Sequence, residues 1–242
     1  MTMEQDTRES LVLVPGLNNT RAVFDGVVRA LPRNVEALAL DNPALETVEA
    51  IAEALLPTLP NRFWLAGFSF GGYVALAMLQ LAPQRIKGIA MICTGPTADP
   101  VAVRPRRLAA LDAVAQGRYL EQIDQQAANA FHPDSLRNTP LMEARRAMLR
   151  AYGAERYAAH VRATMARPDR SRLLDGNKPT LVVTGSHDTV IAPEAVARYA
   201  AMIPRVQTHQ VQGAGHLLPM ERPTELADLL AGWIASSATD TR

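Results

Sequence analysis

Three residues of this chain have the types and the order for acyl-transfer chemistry. They are Ser69 in Gly67-Phe68-Ser69-Phe70-Gly71-Gly72, Asp188 in Gly185-Ser186-His187-Asp188, and His216 in Gly213-Ala214-Gly215-His216. A serine hydroxyl attacks a carbonyl when a base takes its proton. The imidazole that does so needs a third group to fix its tautomer and stabilise the imidazolium. Serine, histidine and carboxylate are the side chains for those tasks. G-x-S-x-G alone is a modest signal, since a glycine-flanked serine also occurs in ordinary tight turns. Context strengthens it: an apolar run, Phe63 to Ala66, leads into the motif and an apolar helical pattern follows. In a strand, sharp turn and helix, the glycines leave room for a strained serine raised above a sheet edge.

The elements that must position these residues read as alternating strands and helices. Ser10–Val14, Val35–Leu40, Phe63–Gly67 and Ile86–Ile92 are short apolar runs of strand character. Thr20–Leu31, Ala44–Leu56 and Gly71–Leu81 carry apolar residues at helical spacing and are stopped by Pro32, Pro57 and Pro83. From 97 to 172 the pattern is helical only, over Arg106–Gly117, Tyr119–Phe131, Leu141–Gly153 and Glu155–Met165. Alternation resumes with strands Thr180–Thr184 and Val206–Val211 and helices Pro193–Met202 and Pro223–Ala235; Ser236–Arg242 reads as a frayed tail. The expected division is a core of 1–96 and 173–242 with a helical cap, 97–172, inserted mid-chain. Strands joined by helix-length crossovers run parallel, so their C-terminal ends share one edge. Ser69, Asp188 and His216 each follow a strand and therefore converge on the edge where open α/β folds bind ligands.

Composition narrows the function classes. The 242 residues are 48% hydrophobic and 20% charged, with a formal net charge of +1, the balance of an ordinary globular protein large enough for one full α/β core. No block of like charge argues for nucleic acid or an acidic membrane surface. Cys93 is a lone cysteine without an intrachain partner, and it reads as a small buried apolar residue. Met1 to Ser10 is polar and acidic, unlike a signal peptide, and no run approaches the roughly 20 apolar residues of a membrane span. The expectation is a soluble, cytoplasmic protein with a small-molecule substrate. His132, His160 and His209 have no partners at ligand spacing and H-E-x-x-H is absent, so neither metal nor cofactor is expected. His187 reads as a surface residue, and Asp41 as the orienter of a turn near the cleft.

Taken together, the Gly67-to-Gly72 motif, the Gly185…Asp188…Pro193 loop and Gly213-Ala214-Gly215-His216 followed by Glu221-Arg222-Pro223 resemble the α/β-hydrolase superfamily, in its small helical-cap branch of esterases. The resemblance covers nearly the whole chain. It implies a three-layer α/β fold with a mostly parallel sheet of about six strands, lacking the two strands that open the full family sheet. It also implies Ser69 as nucleophile, His216 as general base and then acid, and Asp188 as the orienting carboxylate. Some members place the acid after the preceding strand, which keeps Asp99 as the alternative. The oxyanion site would be the Phe70 N–H, at a helix start, and the Leu17 N–H of the loop after the first strand. Many relatives have His-Gly in that loop where this chain has Pro15-Gly16, so the usual brace is missing. Asn18 and Asn19 are candidates to replace it, against the alternative that they are merely solvated.

The cap would set substrate size. Leu108, Leu111, Tyr119, Ile123, Phe131, Met148, Tyr152, Val161 and Met165 are candidates to line the pocket, though such residues in amphipathic helices are more often core. Asn18, Phe68, Phe131, Tyr152 and Leu217 form the expected substrate-binding set. Thirteen arginines against eight acids give the cap +5 and leave the remainder −4. A basic cap would suit carboxylate-bearing, coenzyme A or acyl-carrier substrates; ordinary solvated helix faces in an arginine-rich chain are the favoured explanation. The expected activity is cofactor-free hydrolysis of a small carboxylic ester through an acyl-enzyme. Thioester, enol-lactone or carbon–carbon (β-diketone) hydrolysis by the same residues stays open, as does an inactive ligand-binding relative.

Overall fold

The structure, a computed structural model, describes residues 8–239. The expectations for the first seven residues and for the last three of the tail lie outside the described residues. Six strands form one sheet: β1 (Glu9–Val14), β2 (Val35–Ala39), β3 (Phe63–Phe68), β4 (Ile86–Ile92), β5 (Thr180–Gly185) and β6 (Gln207–Val211). Their order is β2-β1-β3-β4-β5-β6, and every neighbouring pair is parallel. The central strands β3 and β5 are buried at every residue, as uninterrupted apolar runs require when helices cover both faces. The edge strands β2 and β6 mix buried and exposed positions.

The helices are α1 (Asp25–Ala30), α2 (Val48–Leu55), α3 (Phe70–Leu81), α4 (Arg104–Ala115), α5 (Tyr119–Gln125), α6 (Ala127–Ala130), α7 (Thr139–Tyr152), α8 (Ala154–Ala166), α9 (Pro193–Ala200), α10 (Leu218–Glu221) and α11 (Pro223–Thr239). Side chains alternate across the sheet with the period of two that a strand dictates. Val12 and Val14 face one way, into a core completed by Ile51, Val74, Met78 and Val196 from α2, α3 and α9. Leu11 and Leu13 face the other way, against Val27, Leu230 and Trp233 from α1 and α11. Three layers result. α4 to α8 all fall between β4 and β5 and enclose a small core of their own, with Tyr119, Ile123, Leu149, Tyr152, Tyr157 and Val161.

The two ends of this helical segment are tied to each other and to the core by its arginines. Arg167 donates to Asp99 at 2.7 Å and to the Thr97 carbonyl at 3.0 Å, and its guanidinium lies 4.0 Å from the Tyr73 ring centroid. Arg107 pairs with Asp99 at 3.2 Å, and Arg170 donates to Gln80 of α3 at 2.8 Å. Part of the segment's positive charge therefore anchors it.

Among the element boundaries that differ from the sequence pattern, three have a clear local reason. The stretch beginning near Thr20 opens as a 3-10 turn, Arg21–Phe24, because Asp41 accepts from the Arg21 amide at 2.8 Å and Thr20 caps Ala22; Asp41 thus orients that turn. The Tyr119–Phe131 pattern breaks after Gln125. There the Ile123 carbonyl takes the Arg145 guanidinium at 2.7 Å and the Gln126 amide at 3.1 Å, a tightened last turn in place of the bond that would carry the helix on. At the other end α11 runs on to Thr239, with Ser236 bonding back to the Trp233 carbonyl at 3.0 Å and Ser237 buried. No helix of the described residues is long and apolar enough to cross a membrane.

Candidate active site

Ser69 sits between β3 and α3 with φ 51° and ψ −119°, a left-handed conformation that costs a non-glycine residue of order 1–3 kcal/mol. The surroundings over-determine it. A side chain at Gly71 would lie 2.1 Å from the Val14 carbonyl oxygen, so β1 and the start of α3 approach as closely as only glycine permits. Thr94, fully buried after β4, donates its hydroxyl to the Ser69 carbonyl at 2.7 Å, and the Ser69 amide donates to the Ile92 carbonyl at 2.9 Å. The serine is held from three strands.

The loops after β5 and β6 bring the other two residues to it. His216 Nε2 lies 2.9 Å from Ser69 Oγ, and His216 Nδ1 lies 2.8 Å from Asp188 Oδ2. The Asp188 side chain is fully buried, and its second oxygen accepts the Val190 and Ile191 amides at 2.9 Å each. A carboxylate with both oxygens engaged cannot swing, so the imidazole has one orientation. The Phe68 ring lies against His216, with centroids 5.3 Å apart. The His216 loop is in turn stapled to the chain before α7. Glu221 accepts the Gly215 amide at 2.9 Å through one oxygen and the His132 amide at 2.8 Å through the other, and the Leu217 amide donates to the Ala130 carbonyl at 2.9 Å. A side chain at Gly215 would meet the His132 and Phe131 backbone at 2.7 Å, which is why the approach needs glycine.

The loop after β1 is braced carbonyl by carbonyl. Asn42, buried, donates to the Pro15 carbonyl at 2.9 Å; the Asn19 amide donates to that of Gly16 at 3.2 Å; Asn19 Nδ2 donates to that of Leu17 at 2.7 Å. Asn18 has φ 62°, a conformation asparagine tolerates better than most residues, and its side chain meets the Tyr119 hydroxyl at 3.1 Å. Neither the Leu17 nor the Phe70 amide donates to a protein acceptor among the described residues. Two unused N–H groups on segments that flank Ser69 can receive a developing negative oxygen.

The other sequence candidates fall elsewhere. Asp99 is enclosed by Arg107 and Arg167; burial pushes its carboxyl up, but the two guanidiniums outweigh that and hold it below its ordinary value. Phe68, Phe131, Tyr152 and Leu217 are all buried, and Tyr119, Ile123, Tyr152 and Val161 are core of the helical segment. His187 is exposed, edge to face with His132 at 4.4 Å. Cys93 follows β4 with φ 47°; burial pushes its thiol well up, and nearby Asp188 pushes the same way, which disfavours a thiolate. Its sulfur, an Asp188 oxygen and a His216 nitrogen lie within 4.8 Å of one another, a spacing the Asp188–His216 hydrogen bond already uses. A groove of about 580 Å³ between α9 and β6 contains none of Ser69, Asp188 or His216.

Thr94 and Asn42 go unremarked in the sequence, Glu221 stands there only as part of the motif after His216, and His160 only as a histidine without partners at ligand spacing. Only Glu221 carried a local signal, its place shortly after His216. His160 of α8 is fully buried and stacks on Phe70 with centroids 4.8 Å apart. Burial lowers its pKa from 6.5 to about 4; the Pro43 carbonyl it bonds works against that, and the Arg156 charge works with it. The folded protein thus binds this proton more weakly than the unfolded chain does. Its neutral form is fully tolerated above pH 6.5, and stability is lost as the pH falls from 6.5 towards 4, by about 2–3 kcal/mol at pH 4.5. Urea unfolding of wild type and His160→Gln at pH 7 and 4.5 should show a smaller acid loss in the variant; equal losses would assign the titration to other groups.

The sequence model of a family described as "Alpha/beta hydrolase family" matches residues 11–229. Among solved structures, a thermophilic esterase from Thermogutta terrifontis with malate bound has a TM-score of 0.89 at 26% identity, over 96% of this chain and 91% of that one. The enol-lactonase from Burkholderia xenovorans LB400 has a TM-score of 0.84 at 20% identity, over 94% and 92%, a likeness of fold. A pimeloyl-[acyl-carrier protein] methyl ester esterase from Nitrosomonas europaea is 29% identical over 94 residues, 36% of this chain and 37% of the esterase. The match therefore spans well under half the length of that curated relative.

Proposed function

We propose a function from this premise: the chain belongs to the alpha/beta hydrolase family. Within it, the protein hydrolyses a small carboxylic ester through an acyl-enzyme. The observation that carries this reading is the row Ser69 Oγ, His216 Nε2 at 2.9 Å, and His216 Nδ1 to Asp188 Oδ2 at 2.8 Å, built on a strained serine. The Thermogutta and Nitrosomonas proteins named above are esterases, which supports the ester as substrate class.

In this mechanism His216 Nε2 takes the Ser69 proton as Oγ adds to the ester carbonyl. Asp188 holds the proton on Nδ1 and stabilises the imidazolium. The carbonyl oxygen, now negative, is received by the Leu17 and Phe70 amides. His216 then passes its proton to the departing alkoxide, which leaves as the alcohol, with Ser69 acylated. Water enters, gives a proton to His216 and adds to the acyl carbon; collapse of that second tetrahedral adduct returns the proton to Ser69 Oγ and releases the acid. No residue in the sequence of steps needs a metal or cofactor to act.

Incubation of the folded protein with a fluorophosphonate probe, followed by peptide mapping, should place the adduct on Ser69. Turnover of p-nitrophenyl esters of increasing chain length should fall beyond short acyl groups. Folded protein that takes no label and releases no p-nitrophenol would instead support a ligand-binding relative.

A further inference from the structure

The loop after β1 lacks the histidine brace of many relatives, and the structure holds a different histidine where a brace would act. His160 arrives from α8, in the helical segment, and makes three contacts, two of them with core segments near Ser69 and one with Tyr152 of α7. Its Nε2 lies 2.7 Å from the Pro43 carbonyl. A carbonyl can only accept, so Nε2 carries the ring proton and Nδ1 is left as an acceptor. The Tyr152 hydroxyl bonds to that Nδ1 and so spends its one proton there. The phenol oxygen remains free to accept, and the Asn18 backbone N–H acts on it. The imidazole face stacks on the Phe70 ring with an interplanar angle of 21°.

The direction of both hydrogen bonds is thus fixed, Tyr152 O–H to His160 Nδ1 and His160 Nε2–H to Pro43, with the Asn18 N–H placed to act on the phenol oxygen. Each end of this chain adjoins an amide-bearing segment of the site. Asn18 follows Leu17, and Pro43 follows Asn42, whose side chain holds the Pro15 carbonyl. Phe70 carries the second unused amide. Tyr119 adds a parallel tie. Its hydroxyl meets both the Asn18 side chain at 3.1 Å and the Leu149 carbonyl at 3.2 Å. One phenol proton satisfies both contacts when the Asn18 amide turns its nitrogen to Tyr119, since terminal amide orientation is assigned from such networks.

We propose that His160 and Tyr152 are positioning residues for the oxyanion-receiving amides, replacing from the helical segment the brace that Pro15-Gly16 lacks. This rests on the reading of Ser69 as nucleophile. Two donors stabilise a tetrahedral oxyanion only when both aim at the same point, and a displacement of about 1 Å can cost on the order of 100-fold in rate. His160 touches the loop of one donor through Tyr152 and Asn18, and the ring of the other donor directly.

The test compares wild type, Tyr152→Phe, His160→Phe and His160→Gln on a p-nitrophenyl ester, with an aryl trifluoromethyl ketone as the tetrahedral mimic. Tyr152→Phe removes one oxygen and is the variant least prone to misfold; circular dichroism and thermal melting monitor all four. Expected are kcat losses of about 10- to 100-fold for Tyr152→Phe and His160→Phe, with KM within about threefold of wild type. The ketone should bind more weakly by a similar factor. His160→Gln, which can still donate to Pro43, should recover part of both. Folded variants with unchanged kcat, or with KM raised and ketone affinity intact, overturn the proposal. If wild type itself neither turns over nor takes the fluorophosphonate label, the nucleophile reading fails and this inference with it. An active wild type beside an equally active Tyr152→Phe defeats the positioning role alone.

Discussion

Ser69→Ala should lower kcat on a p-nitrophenyl ester by about 10⁴- to 10⁶-fold, with KM changed little, since loss of the nucleophile removes the covalent route and leaves binding in place. The residual rate would come from the oxyanion-receiving amides and proximity, which the substitution spares. Fluorophosphonate labelling should vanish with it. The backbone makes a second, independent statement. At φ 51° and ψ −119°, residue 69 pays for its conformation whether it is serine or alanine. Glycine adopts that region freely, so Ser69→Gly should be more stable than Ser69→Ala by about 1 kcal/mol while equally inactive. A position where activity and stability pull apart in this way is built for chemistry; equal stability of the two variants would remove the strain from the account. Unchanged turnover in Ser69→Ala would remove the nucleophile.

Much of this site is legible in sequence because its parts lie where a parallel sheet puts them. Ser69, Asp188 and His216 follow β3, β5 and β6, and the parallel order of those strands brings their loops to one edge whatever the helices between them do. The glycines at 71 and 215 mark the places where backbones must touch. What sequence hides is pairing at long range between ordinary residue types. Asn42 to Pro15, Thr94 to Ser69 and His160 to Pro43 are single hydrogen bonds across 27, 25 and 117 residues, with no periodicity or spacing to betray them. A buried histidine in an amphipathic helix looks like any core position until its two nitrogens find partners. The same blindness applies to the arginines: their number predicts a basic surface, whereas Arg145, Arg167 and Arg170 are buried and spent on internal contacts.

The two carboxylates that sequence left in competition should separate by what is lost. Asp188 is fully buried, bonded to His216 Nδ1 and to two amides, and free of any guanidinium among its hydrogen-bond and ion-pair partners. Asp188→Asn keeps the shape, but its amide nitrogen can face the imidazole and favour the wrong tautomer. With no carboxylate to stabilise the imidazolium, kcat should fall by about 10⁴-fold, as when the same exchange is made in a Ser-His-Asp protease. Asp99 has the opposite environment: Arg107 and Arg167 both point at it, Arg167 from a buried position. Asp99→Asn leaves those cations without a counter-charge and should destabilise the protein by about 3 kcal/mol, loosening the junction between residues 97–99 and 167–170. Its kcat at a temperature well below its melting point should stay within about tenfold of wild type, because neither arginine touches Ser69 or His216. Urea melts and ester turnover on the two variants give a crossed result if the assignment is right: one stable and inactive, the other active and unstable. Loss of several orders of magnitude in kcat for a folded Asp99→Asn, beside an active Asp188→Asn, would move the acid to the loop after β4.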